Sequence, residues 1–325
     1  MLTRKTIGFL IKIGIVALAL FFLYQQLNVK SGLDKHSIDV IIAKLKGNYI
    51  IVIAVVFMML LNWFLEALKW RFLIAKIEKV SIYRSFRAIF SGITVSAFTP
   101  NRVGEYGGRV FCLEKADRIQ AVLITVIGSM AQLLTTIVFG SIGLLYLPAY
   151  QSDFFHFFDK VGFAYPVLAF ILILLNVLLV LLFLNVSVLT NVLSKISFLK
   201  KFEKYSGVFS FYTFKELLIV IGYSIARYLV FTTQFFILLL LFDVKILYAD
   251  AITLIMSMLF IISVIPTIAI TEIGVRGSVS IFLFGLVSAN VVGIFSATFV
   301  LWIINLLIPS LIGVVFIFTL KFFRK

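Results

Sequence analysis

Residues 86–109 read FRAIFSGITVSAFTPNRVGEYGGR, and this stretch decides the fold. Its apolar half, 86–99, is too short to cross about 30 Å of hydrocarbon, which takes about 20 residues of helix. The proline and glycines that follow stop a helix and free backbone groups that lipid tails cannot satisfy. Such backbone is tolerated within a membrane only where it is buried in protein or lines a wet cavity. The stretch therefore predicts a broken or re-entrant helical hairpin over 86–118.

A second copy of this pattern lies at 251–277, which reads AITLIMSMLFIISVIPTIAITEIGVRG. Its apolar half, 251–265, also ends at a proline, and both copies contain Glu-x-Gly-x-Arg. One match of this kind is weak. Two matches, each after a short apolar run and a proline, indicate an internal repeat. We therefore predict a second hairpin over 251–290.

Longer apolar runs surround the two hairpins, and each is long enough to cross a bilayer as a helix. Hydrophobic residues make up 62% of the chain and charged residues 13%, with a mean hydropathy of +1.17. A soluble domain carries about 25% charged residues, so lipid must be the solvent here. We predict an all-α polytopic membrane protein, with 1–325 as a single transmembrane domain and an uncleaved first helix. The six predicted spans are 7–24, 49–68, 119–147, 162–185, 215–242 and 291–318.

Positive charge in the loops predicts the orientation of these spans, because Lys and Arg gather on the cytoplasmic side. The segment 69–118 holds ten Lys and Arg, whereas 148–161 holds a single Lys. The lysines of 25–48 are the exception to this pattern. The prediction is a bacterial cytoplasmic (inner) membrane protein with both termini in the cytoplasm. The two hairpins would then enter from opposite faces, so that repeats 49–147 and 215–318 have inverted topology.

No sequence motif indicates a metal, a cofactor or a catalytic centre. The chain has one cysteine, Cys112, and two distant histidines, and it lacks a glycine-rich phosphate loop. The 29 Lys and Arg exceed the 14 Asp and Glu, giving a net charge of +15. Cytoplasmic loops are the first explanation of this excess, and a dedicated anionic ligand is an additional one; nucleic acid is not predicted as a partner.

The candidate site residues are charged side chains inside the membrane, which are usually functional because burying them is costly. The Glu and Arg of each Glu-x-Gly-x-Arg motif can form an ion pair with each other. Alternatively, the arginine can bind a phosphate through two of its N–H groups. The alternative to a functional role is a Glu–Arg ion pair that only stabilises the hairpin. Arg227 lies mid-span and needs a partner, for which Glu272, Glu105 and Glu66 are candidates. Glu66 itself is interpreted as an interfacial anchor beside Trp63 and Trp70.

The first motif, PNRVGEYGGR at 100–109, resembles the P-x-R-x-G-E signature of the flippase-like family that includes the transmembrane region of lysylphosphatidylglycerol synthases. The second, EIGVRG at 272–277, resembles that family's glycine-rich signature, although its Glu precedes the glycines. The resemblance covers nearly the whole chain. It implies movement of aminoacylated phosphatidylglycerol between leaflets. The chain ends at Lys325, so the resemblance implies no synthase activity.

The first functional hypothesis is therefore a lipid translocator for an anionic or zwitterionic headgroup, with membrane lipids as partners and no enzyme chemistry. The alternatives are an intramembrane transferase with Glu105 as general base, and a non-catalytic subunit that partners a lipid-synthesis enzyme. The predicted headgroup-binding residues are Arg102, Glu105, Arg109, Arg227, Glu272 and Arg276. The residues predicted to break helices or allow close backbone approach are Pro100, Gly104, Gly107, Gly108, Pro266, Gly274 and Gly277.

Overall fold

A computed structural model of the chain describes residues 35–99, 102–150, 165–187, 205, 207–265 and 272–318, together with isolated positions between 10 and 21. Within these ranges the regular structure is helical, without a strand. The predicted first span at 7–24 lies, apart from those isolated positions, outside the described residues. Pro100, Pro266 and the C-terminal basic residues also lie outside them.

The described helices range in length from 7 residues to 29 residues. Short 3₁₀ turns follow α5 at Leu147–Tyr150 and precede α7 at Gly207–Phe211. A π turn at Ile303–Leu307 joins α10 to α11. The helices are α1 (Lys35–Gly47), α2 (Tyr49–Ile74), α3 (Ile82–Ser96), α4 (Gly104–Val110), α5 (Arg118–Tyr146), α6 (Tyr165–Leu184), α7 (Phe214–Leu241), α8 (Tyr248–Val264), α9 (Glu272–Phe284), α10 (Val291–Trp302) and α11 (Ile308–Ile317).

Five segments of the described chain are long and apolar enough to cross a membrane. They coincide with five of the six predicted runs. Shorter helices lie where the two hairpins are predicted. They are α3 and α4 at the first position and α8 and α9 at the second. The five segments are Tyr49–Ile74, Arg118–Tyr150, Tyr165–Leu184, Phe214–Leu241 and Val291–Ile317.

Side-chain caps fix where several helices begin, because the first N–H groups of a helix have no partner within it. Ser81 accepts a hydrogen bond from the Arg84 N–H at the start of α3. Asp117 caps α5 in the same way, and Asn290 caps α10. Thr213 forms a reciprocal capping box at the start of α7. These polar residues place the helix starts at the boundaries of the apolar runs.

Two units of the chain share one order of elements: a long helix, two short helices and a second long segment. The first unit is α2–α5 and the second is α7–α11. Long helix α2 packs against long helix α7. The closing segment of each unit packs against the first short helix of the other, α5 against α8 and α11 against α3. The units are thus interlocked, since each provides part of the other's core.

Glu78 ties together the two loops at one end of the first unit. Its carboxylate accepts hydrogen bonds from the N–H groups of Glu114, Lys115 and Ala116 at 2.7–3.1 Å, and Arg84 pairs with it at 3.2 Å. Burial by itself would raise the pKa of Glu78, but these donors outweigh it and hold that pKa below its ordinary value. The turn before α3 is therefore fixed to the turn before α5.

Candidate functional site

The first hairpin breaks between α3 and α4, where the sequence predicts a break near Gly104. Helix α4 begins at Gly104, whose N–H donates a hydrogen bond to Thr99 Oγ1 at 2.9 Å. Arg102 lies just before Gly104 and has a φ of 58°. This value is in the left-handed region, which residues other than glycine rarely adopt. Backbone held in this region is typically found at functional sites.

Arg102 crosses from the first unit to the second. Its Nη2 donates to Glu272 Oε1 at 2.5 Å, and Arg276 Nε donates to the same oxygen at 2.9 Å. Glu272, the first residue of α9, is only 6% exposed. One buried carboxylate is therefore shared between two guanidinium groups, one from each unit.

A second cluster of charges surrounds Glu66 on α2. Its carboxylate accepts from Arg109 at 2.7 Å and Lys69 at 2.9 Å, and it also pairs with Arg227. Arg109 in turn pairs with Glu105, one turn earlier on α4. Glu66 is 4% exposed. The interpretation of Glu66 as an interfacial anchor is wrong, because it is a buried carboxylate that neutralises cations from three helices.

Arg227 is held in place through its Nε and Nη1 atoms. Besides Glu66, it donates to Asn62 Oδ1 at 2.9 Å and to Gln132 Oε1 at 3.1 Å. Its guanidinium lies 5.4 Å from the centre of the Trp63 ring, a cation–π distance. Arg227 thus has the acidic partner that its mid-span position requires, and the partner is Glu66.

A cavity of about 170 Å³ lies between the two units, beside both clusters. Three arginines face it, Arg102, Arg227 and Arg276. Two of the predicted headgroup-binding residues, Glu105 and Arg109, do not line it, because Arg109 pairs with Glu66 and Glu105 pairs with Arg109. The remaining lining residues are Asn62, Trp63, Phe231, Met258, Leu259, Thr298, Leu301, Trp302, Asn305 and Leu306.

Positive charge exceeds negative charge around this cavity. The two clusters contain five cations, the four arginines named above and Lys69, against the three carboxylates of Glu66, Glu105 and Glu272. Arginine keeps its charge at all accessible pH values and suits planar, bidentate recognition of phosphate. The arrangement favours an anionic occupant carrying phosphate.

Close backbone approach is found at only some of the predicted glycines. A Cβ on Gly104 would lie 2.7 Å from the Val95 carbonyl oxygen, and one on Gly277 would lie 2.7 Å from the Phe295 ring. At Gly107 and Gly274 none of the described residues lies within 4 Å of such an atom. Neither glycine is therefore required for the packing of the described helices.

Gly108→Ala is expected to destabilise the protein, whereas Gly107→Ala is not. A Cβ at 108 would lie 2.6 Å from Gly92 Cα, so α3 and α4 would have to separate. Such overpacking costs about 1–3 kcal/mol. At 107 the space is open, and alanine favours the helix by about 1 kcal/mol over glycine. Thermal unfolding in detergent should show a lower midpoint for the first variant alone. Equal midpoints would contradict the packing of these two helices.

The sequence interpretation missed Lys69 as a member of the buried cluster. A signal was present, since Asn62, Glu66 and Lys69 recur at the four- and three-residue spacing of one helix face in an apolar span. In the described part of the chain, no group of His, Cys, Asp and Glu could hold a metal ion.

Comparison with known proteins gives one match. The family described as "Lysylphosphatidylglycerol synthase TM region" matches residues 9–313. No curated protein and no solved structure matches the chain.

Proposed function

Because the chain belongs to the lysylphosphatidylglycerol synthase TM region family, we propose that it moves a lipid with an anionic or zwitterionic phosphate headgroup between membrane leaflets. The apolar helices and the family make it a multi-pass membrane protein. The observation that carries the proposal is the cavity between the two units, with three arginines in its wall. A polar cavity among apolar helices is what a headgroup needs in order to cross.

Arg102, Arg227 and Arg276 are proposed to contact the headgroup phosphate. Each is already oriented by a carboxylate, Glu272 for the first and last and Glu66 for Arg227. An arginine oriented in this way keeps some N–H groups for a ligand, because a guanidinium carries five donors. Glu105 and Arg109 do not line the cavity; Arg109 pairs with both Glu105 and Glu66.

The two units are proposed to be inverted repeats whose hairpins re-enter from opposite faces. Their common order of elements supports this, and so does the exchange of packing in which α11 contacts α3 and α5 contacts α8. Reciprocal contacts of this kind are expected of two units related by a pseudo-two-fold axis. Rocking of one unit against the other would open the cavity to each side in turn.

We place the protein in the bacterial inner membrane with both termini in the cytoplasm.

Purified protein in liposomes tests the proposal. Vesicles with a labelled phospholipid on one leaflet are followed by a membrane-impermeant quencher, and their lipids are then extracted and analysed. Movement of the label without a new lipid species is the expected result. A new lipid species would instead indicate an intramembrane transferase. Movement only after addition of a lipid-synthesis enzyme would indicate a subunit of that enzyme.

Glu105→Gln is expected to slow lipid movement while the protein still folds. Its side chain is 23% exposed, against 5% for Glu66 and 8% for Glu272. A partly exposed carboxylate among apolar helices is a common feature of transporter sites, where intramembrane acids take part in transport. We expect a loss of about tenfold or more, equivalent to about 1.4 kcal/mol in the barrier.

Glu114→Gln, which changes the same charge in a loop away from the cavity, serves as the control. Transport is measured in liposomes and stability by thermal unfolding in detergent. A large fall in stability with normal turnover would instead mean that Glu105 only clamps the hairpin.

A further inference from the structure

The cavity wall retains side-chain hydrogen-bonding atoms without partners among the described residues. They are the indole N–H groups of Trp63 and Trp302 and the Oδ1 atom of Asn305. These residues are 7%, 4% and 9% exposed, respectively. Buried polar groups are nearly always paired, so each unpaired one calls for an explanation. All three residues line the same cavity, which indicates that its occupant supplies the missing partners.

The orientation of the Asn305 amide follows from its neighbours. The Val55 carbonyl can only accept, so Gln234 must turn its NH₂ group to it, at 2.8 Å. Gln234 Oε1 then faces Asn305 and accepts from its Nδ2 at 2.8 Å. The same Nδ2 donates to the Leu301 carbonyl at 3.1 Å. Both contacts require the nitrogen on that side, which leaves Oδ1 as an acceptor without a donor.

The local backbone singles out the same residue. Asn305 is the central residue of the π turn Ile303–Leu307, between α10 and α11. Single π turns within α-helices are frequent at functional sites, because the extra residue redirects a side chain. Here the turn places an unpaired acceptor in a wall that also holds three arginines and two indoles as donors.

We infer that the cavity selects a phosphate headgroup that also donates a hydrogen bond, and that Asn305 Oδ1 accepts it. This inference rests on the proposed function. Phosphate oxygens accept from the arginine and indole donors, and a hydroxyl or ammonium on the same headgroup donates to Asn305. The unpaired atoms lie within the wall, so a small side-chain shift on binding brings them to the occupant. A headgroup without a donor leaves Oδ1 buried and unpaired, which disfavours its binding.

Two pairs of lipids test the selection. Phosphatidylglycerol and phosphatidylmethanol carry the same charge, but only the first has headgroup hydroxyls. Phosphatidylethanolamine and phosphatidylcholine are both zwitterionic, but only the first has N–H donors. Competition for the purified protein in nanodiscs should favour the donor lipid of each pair by about tenfold or more. Asn305→Leu should abolish that preference while phosphatidylmethanol still binds.

The outcomes separate this inference from the proposed function. Equal binding of both members of each pair would overturn the role of the donor and leave a phosphate-binding translocator. Failure of all four lipids to bind or move would overturn the proposed function itself. The comparison on the unaltered protein decides the question even where Asn305→Leu does not fold. Preference retained in a folded Asn305→Leu would overturn the assignment to Asn305.

Discussion

Glu66→Gln is expected to cost the protein about 3–5 kcal/mol of stability, the range for removing one partner of a buried ion pair. The carboxylate contacts Arg109, Arg227 and Lys69, and no other carboxylate contacts Arg227 or Lys69 among the described residues. Glutamine keeps the shape of the side chain but leaves Arg227 and Lys69 without a carboxylate partner, whereas Arg109 keeps Glu105. We expect a much lower unfolding midpoint in detergent and poor recovery of folded protein from the membrane.

A double variant separates charge from shape in this experiment. Glu66→Gln with Lys69→Met removes one cation together with the carboxylate, so part of the lost stability should return. Glu114→Gln, in an exposed loop position, controls for loss of a carboxylate and should have little effect. If Glu66→Gln unfolds at the same temperature as the unaltered protein, the buried cluster does not contribute to stability as described here.

Arg276→Gln is expected to reduce lipid movement by about tenfold to a hundredfold, since a hydrogen bond to a charged group contributes about 1.5–3 kcal/mol. Its guanidinium faces the cavity, and in its absence Glu272 still keeps Arg102 as a partner. Stability should therefore change little. The rate is measured in liposomes and the unfolding midpoint in detergent.

Two further variants distinguish the positive charge of Arg276 from its hydrogen-bonding geometry. Arg276→Lys keeps the charge but loses the forked donor geometry, so we expect an intermediate rate. Lys245→Gln removes a positive charge from an exposed turn of the same unit and should leave transport unchanged. Normal transport by Arg276→Gln would exclude this arginine from the headgroup site.

The long helices and the first break could be predicted because their signals are local. An apolar run of sufficient length defines a span, and Gly104 marks the start of α4 within a glycine-rich segment. The ion pairs could not be predicted in the same way. Arg102 contacts Glu272 across 170 residues, and Glu66 contacts Arg227 across 161. Such pairs depend on how α2, α4, α7 and α9 pack, which no local spacing determines.

The glycines illustrate the same limit. Gly107 and Gly108 are adjacent and identical in sequence, yet only Gly108 faces α3. The rotation of α4 about its axis decides between them, and the same rotation brings Arg109 to Glu66 on α2. A motif can therefore identify a broken hairpin without showing which of its residues face the neighbouring helix.

The interlocked packing of the two units has a consequence for biosynthesis. Helix α3 packs against α11, which is the last described helix to leave the ribosome. Until α11 has been synthesised, helix α3 and the buried charges beside it lack one of their packing partners. Contacts between distant segments form late and leave folding intermediates exposed. The contacts between α3 and α11 can therefore form only when translation of the described chain is nearly finished, so the first unit stays incompletely packed until then.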